Sequence, residues 1–146
     1  MSLWLDTSVL VSLYVPEARS MSVARLVRRA AEPIPFTQLH ELEIVNALRL
    51  RVLRREAAGA LIGATIIRLH DDLRDGTLHR LAIDWPVTLA KAIELANQHT
   101  ARIGCRSLDV AHVAAAVLSG CERFVTADLR QSRIARRAGL RTTRLS

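Results

Sequence analysis

Leu3-Trp4-Leu5-Asp6-Thr7-Ser8-Val9-Leu10 is the stretch on which the reading of this chain turns. It is an apolar run that closes on a carboxylate and passes at once into two hydroxyl residues. Such a run predicts a short buried strand, and the helix signal behind it puts Asp6 at the strand's carboxyl end. In open α/β sheets, ligands and catalytic groups gather along that edge. A purely local reading competes: Asp, Thr and Ser all favour the N-cap of a helix, and on its own Asp6 is accounted for as a cap. The rest of the chain decides whether it has company.

Outward from there, residues 8–15 predict a short helix stopped near Pro16. Residues 17–31 follow as an amphipathic helix, with Val23, Leu26 and Val27 on one side and Arg25, Arg28 and Arg29 on the other. Residues 33–37 read as a brief strand whose prolines suit an end or an edge. The long helix expected over 38–55 carries more apolar residues than one core-facing stripe needs, so part of it is expected to pack against another chain. A further helix is expected over 56–73, then a turn over 71–76 and a strand over 78–83. Asp84 caps the next helix, with Pro86 in its first turn, and that helix runs to about His99. After a loop over 100–107, residues 108–119 form a helix that is apolar nearly all round, ended by Gly120. Residues 123–128 give a second strand closing on a carboxylate, 131–138 a basic helix stopped by Gly139, and 140–145 a last strand. Short strands alternating with helices predict an α/β fold: a three-layer α/β/α sandwich around a short-stranded, mainly parallel sheet. With no linker or repeat, residues 1–146 read as a single domain.

Composition narrows the function classes. Half the residues are hydrophobic, yet no run nears the roughly 18 apolar residues of a membrane span. Asp6 interrupts the first apolar stretch and no basic leader precedes it, so no signal peptide is expected. Cys105 and Cys121 have neither metal-ligand nor CxxC spacing, and free thiols in a reducing cytoplasm are the expectation. The net charge is +7 and the basic residues are arginines, with Lys91 the one lysine. Arginine suits bidentate phosphate contacts, so a nucleic-acid or acidic partner is implied, unless the arginines are merely solvated. An aromatic content of 3% argues against base stacking, so phosphate contacts should dominate.

Four acids stand out by placement. Asp6 and Asp128 each end a predicted strand, Asp109 opens the apolar helix, and Glu43 lies in the first turns of the long one. Glu41 competes with Glu43, and two residues apart they cannot share a helix face. Carboxylates converging in a partly dry cleft repel one another, and a divalent cation offsets that repulsion. Mg²⁺ and Mn²⁺ prefer oxygen ligands, activate water and neutralise phosphoryl charge. An acidic pocket for such an ion within a basic surface suits a phosphodiester substrate.

At these residues the chain resembles the PIN-domain family, and within it the VapC-type toxins of type II toxin–antitoxin pairs. The matching motifs are Leu5-Asp6-Thr7-Ser8-Val9-Leu10, Glu43-Ile44-Val45-Asn46-Ala47-Leu48, Leu108-Asp109-Val110-Ala111-His112-Val113-Ala114-Ala115-Ala116, and Val125-Thr126-Ala127-Asp128 with Ala135 and Gly139 behind. They span nearly the whole chain, in order. The resemblance selects Glu43 over Glu41, because Ala47-Leu48 follows it as in the family. It implies a Mg²⁺- or Mn²⁺-dependent endoribonuclease that acts as a toxin and hydrolyses RNA with a metal-activated water. Asp6 and Asp109 would be the direct metal ligands, with Glu43 and Asp128 acting through water. Thr7, Ser8 and Thr126 would hydrogen-bond near the metal or the phosphate. It further implies a cognate antitoxin, a homodimer and a toxin–antitoxin hetero-oligomer. From the sequence itself, Arg102 and Arg106 are candidates for phosphate contact, and His112 reads as a histidine tucked between helix and sheet.

Rival readings are weaker. A dehalogenase-like phosphatase needs a second aspartate where Ser8 stands, and a phosphorelay receiver needs a late sheet lysine where only Lys91 on a helix is available. No nucleotide-binding loop motif occurs. A non-catalytic nucleic-acid-binding regulatory module would gain nothing from four gathered acids.

Overall fold

The computed structural model describes residues 2–146. The chain runs β1 (Leu3–Leu5), α1 (Thr7–Val11), α2 (Ser20–Arg29), β2 (Ile34–Phe36), α3 (Gln38–Leu53), α4 (Gly59–Asp75), β3 (Leu78–Arg80), α5 (Trp85–Ile103), α6 (Ser107–Leu118), β4 (Arg123–Thr126), α7 (Leu129–Arg137) and β5 (Arg141–Arg144). All strand pairings are parallel, as helical crossovers between successive strands require.

The strands form two ladders rather than one sheet: β1-β4-β5 and β2-β3. In the first, Leu3 pairs with Arg123 and Leu5 with Val125, and the Asp6 N–H extends the ladder to the Val125 carbonyl at 2.9 Å. β2 lies beside β1, but among the described residues no backbone ladder joins them. His40, in the first turn of α3, bridges that gap. Its Nε2 is 2.9 Å from the Leu5 carbonyl oxygen, while its Nδ1 accepts the Thr37 N–H at 3.1 Å.

Alternation along β1 divides the core. Leu3 and Leu5 join Val9, Leu10, Phe36, Ile44, Leu48 and Leu69 on the side of α1–α4. Trp4 points the other way, into Phe124, Ile134 and the alanines of α6, on the side of α5–α7. The three layers are therefore as expected. Val113 through Ala116 are fully buried, and small side chains there let α6 sit close to the strands.

Two helices run past their expected ends. Residues 71–75 continue α4 instead of turning, since a run of aspartates is compatible with an exposed helix face. The chain stops at Gly76, in the left-handed region at φ +87°. Likewise α5 passes His99 and ends at Gly104, φ +76°. The strand expected over 78–83 spans Leu78–Arg80. Asp84 caps α5 by accepting the Val87 N–H at 3.1 Å, as expected. The cysteines are free, Cys121 buried and Cys105 half-buried. Among the described residues no helix is long and apolar enough to cross a membrane.

His40 gives the fold an acid limit. Its ring is fully buried, and burial drives its pKa down to about 3. The folded protein thus keeps His40 neutral, whereas the unfolded chain protonates it below its ordinary pKa of about 6.5. Its effect is nil above that value, and stability falls as the pH drops from there toward 3. Between pH 7.5 and 5 the loss should be on the order of 2 kcal/mol. Urea unfolding at both pH values should show that loss in the parent and a smaller one in His40→Gln, which retains a donor for Leu5. An equal loss in both would remove His40 as the source.

Candidate metal centre

Asp6 leaves the end of β1 with extended backbone geometry and caps α1. Its Oδ2 accepts the Ser8 hydroxyl at 2.6 Å and, at 3.4 Å, the Ser8 N–H. Its Oδ1 accepts the Gln131 side-chain amide at 3.1 Å. Capping and site placement are thus the same fact: the cap fixes the carboxylate at the strand end, 7% exposed. Asp128, two residues past the end of β4, caps α7 through Oδ1, which accepts the N–H groups of Arg130 and Gln131 at 2.7 and 3.1 Å.

The other two acids arrive on helices. Asp109 lies in the first turn of α6, its side chain 18% exposed. Glu43 stands one turn beyond the capping box of α3, where Thr37 and His40 satisfy each other's backbone N–H groups. Glu43 Oε1 accepts the Thr7 hydroxyl at 2.8 Å and the His112 Nε2–H at 2.5 Å. Glu41 faces elsewhere and pairs with Arg80 at 2.8 Å.

Asp6, Glu43, Asp109 and Asp128 line a single pocket of about 460 Å³, together with Thr7, Ser8, Arg19 and Arg106. Burial raises the Asp109 pKa above the ordinary carboxylate value, and the nearby Asp6 and Asp128 push it further against the pull of Arg106. Burial also acts to raise Glu43, but its hydrogen bonds from His112 and Thr7 and the charge of Arg106 outweigh that, and its pKa falls. One pocket thus holds a carboxylate favoured as the anion beside one that resists ionisation. Among the described residues, no three His, Cys, Asp or Glu side chains close tightly enough to clasp an ion directly. An open, all-oxygen donor set with crowded negative charge fits Mg²⁺ or Mn²⁺ retaining much of its water; Mg²⁺ usually binds through only one or two carboxylates.

The other expected contacts divide. Thr7 and Ser8 lie in the pocket and serve Glu43 and Asp6. Arg106 lies at its edge, with Nε 3.4 Å from Asp109 Oδ2. Thr126 is fully buried, donating to Gln131 Oε1 at 2.7 Å and accepting the Asp128 N–H at 3.0 Å, so it shapes the pocket from behind. Arg102 is not part of the lining: the longer α5 carries it on an exposed last turn.

Two residues escaped the sequence reading. Gln131 is fully buried and bonds Asp6, Thr126 and, at 3.4 Å, the Asp109 carbonyl. Its signal was present in Asp128-x-x-Gln131, the spacing of a capping box. Arg19 reaches the pocket from just before α2 while its Nε sits 3.5 Å from Glu17. No local pattern announces it.

Known proteins agree with this architecture. The crystal structure of FitAcB from Neisseria gonorrhoeae superposes with a TM-score of 0.64 at 17% identity, covering 96% of this chain and 95% of that one. VapBC2 from Rickettsia felis, solved bound to a DNA fragment from its promoter, gives 0.65 at 14% identity over the whole of both chains. VapC20 from Mycobacterium tuberculosis, a toxin that cleaves the sarcin-ricin loop, gives 0.65 at 19% identity, covering 99% of this chain and all of that one. At these identities the likeness is one of fold. No curated protein matches the chain by sequence. The family model of the PIN domain, however, matches residues 3–137, from the first strand through the last helix and all four acids between them. The chain belongs to the PIN-domain family.

Proposed function

We propose that this protein is a Mg²⁺- or Mn²⁺-dependent endoribonuclease and the toxin of a toxin–antitoxin pair, acting in the cytoplasm. The observation that carries the reading is the gathering of Asp6, Glu43, Asp109 and Asp128, from four separate elements, around one pocket in a chain of net charge +7. A protein that only bound nucleic acid would be weakened by them, since carboxylates repel phosphate. The toxin role draws on the fold shared with VapC20, VapBC2 and FitAcB.

Asp6 and Asp109 would hold the ion directly, with Glu43 and Asp128 reaching it through water. When bound, the ion would lower the cost of ionising water and offset charge on the phosphoryl oxygens. Asp6 comes to this task already oriented on both oxygens by Ser8 and Gln131. Glu43, kept anionic, would orient the attacking water as a hydrogen-bond acceptor. Arg19 and Arg106 at the pocket edge would hold the phosphodiester backbone.

RNA incubated with the purified chain should be cleaved internally in Mg²⁺ or Mn²⁺ and left intact in chelator, with 5′-phosphate ends on the products. RNA that is bound but uncut under every cation condition would sink the enzymatic reading in favour of the binding module. A partner is proposed on the same footing. Leu42 and Leu53 of α3 are 65% and 77% exposed, and such residues invite cover by a second copy or an antitoxin. Light scattering with and without a co-encoded small protein should report a dimer and a larger hetero-oligomer. A monomer indifferent to that protein would oppose both.

A further inference from the structure

Behind the acid pocket lies a group that the proposed chemistry does not use: Trp4, His40 and His112, all fully buried and in mutual ring contact. The ring centroids of His40 and His112 are 4.7 Å apart, those of Trp4 and His40 5.0 Å, and those of Trp4 and His112 6.1 Å. Each belongs to an element that carries an acid. Trp4 is two residues before Asp6, His40 three before Glu43, and His112 three after Asp109.

The hydrogen bonds fix the protons. The indole N–H can only donate, and it reaches His112 Nδ1 at 3.3 Å. That nitrogen is therefore the bare acceptor, and the ring's proton sits on Nε2, which faces Glu43 Oε1 with Thr7 Oγ1 at 3.1 Å beside it. His40 follows the same logic. The Thr37 N–H occupies its Nδ1, leaving the Nε2–H for the Leu5 carbonyl, one residue before Asp6. Two buried imidazoles are costly where leucines would fill the same volume, and the cost is recovered only through these bonds.

We propose that His112, its tautomer set by Trp4, is a positioning residue for Glu43, and that His40 clamps the same helix to β1, so that the two histidines fix where Glu43 stands relative to Asp6 and Asp109. The inference rests on the nuclease reading of the pocket. Neither imidazole lies in the pocket: His112 acts through Glu43, and His40 through the helix that carries it. Partners of this kind behind a metal ligand typically change metal affinity or activity 10- to 100-fold when lost.

Two amides separate positioning from packing. In His112→Gln the side-chain nitrogen falls where Nε2 was and keeps a donor for Glu43. In His112→Asn the same groups stop one carbon short. Mn²⁺ binding by calorimetry, on the metal alone, is the primary readout, with kcat and KM for RNA cleavage beside it. His112→Gln should stay within about threefold of the parent, and His112→Asn should lose at least tenfold in Mn²⁺ affinity and in kcat with KM little changed. Should His112→Asn not fold, Trp4→Phe, which removes the donor that sets the tautomer along with part of a buried ring, should show the same losses in smaller measure. A parent that binds Mn²⁺ and cleaves RNA while the tested variant matches it within twofold overturns the inference alone. A parent that does neither overturns the nuclease reading and this inference with it.

Discussion

Exchange of Asp6 for asparagine is expected to lower Mn²⁺-dependent RNA cleavage by about 10³-fold or more, about 4 kcal/mol of transition-state stabilisation, while leaving stability within about 1 kcal/mol. The two halves have separate origins. Asp6 is the deepest of the four acids and sits at the end of β1, so any cation in the pocket meets its charge at close range. Asparagine removes that charge and, in the proposed site, one of the two carboxylates that would hold the ion directly. Its scaffolding survives. With its oxygen toward the Gln131 amide, asparagine turns its NH₂ to the Ser8 hydroxyl, which rotates to accept, and gives up only the long 3.4 Å cap from the Ser8 N–H. Gel assays of RNA cleavage, Mn²⁺ calorimetry and urea unfolding of the same preparation measure all three quantities. Cleavage within tenfold of the parent would take Asp6 out of the site.

That separation between frame and charge also explains what the sequence could reveal. The strand-closing acids were legible because one local signal did two jobs. Asp6 and Asp128 both cap helices at strand ends, and in a parallel sheet those ends lie along one edge. The layers were legible from short strands alternating with helices, and the burial of α6 from its nearly continuous apolar run. Helix ends were less legible. Asp71-Asp72 reads locally as a turn, although the true stop, Gly76, lies within the same stretch, and Arg102 falls in a loop beside Asp109 only if α5 ends near His99. Least legible were contacts whose partners lie far apart in the chain. Nothing near His112 foretells a bond to Trp4, 108 residues away, or to Glu43, 69 residues away. Burial of His112 between helix and sheet was readable from the apolar run around it; its partner was not. The break between β1 and β2 was also invisible, because it depends on His40 satisfying the Leu5 carbonyl in place of a neighbouring strand.

Asp109 offers the complementary test, in which one substitution has opposite effects with and without metal. Its raised pKa means that the folded state holds this carboxyl's proton more tightly than the unfolded chain does. Once the pH exceeds the ordinary carboxylate value, ionisation of Asp109 therefore works against the fold, and more so as the pH rises through the shifted value. Burial and the charges of Asp6 and Asp128 drive this. The opposing contributions are smaller: Arg106 is 86% exposed, where ion pairs contribute little, and the start of α6 favours a negative charge by well under about 1 kcal/mol. Asp109→Asn should accordingly stabilise the protein in chelator at pH 7.5 by on the order of 1 kcal/mol, or about 3 °C in Tm, and the gain should shrink toward pH 4. Saturating Mn²⁺ should then raise the Tm of the parent and leave the variant nearly unmoved, so that the two melting curves exchange order. Functional sites often give up stability in this way, holding apart charges that only a ligand reconciles. Thermal melts at two pH values, with and without Mn²⁺, contain the whole test. A variant less stable than the parent in chelator would show that Arg106 and the helix terminus, rather than an absent cation, balance the charge of Asp109.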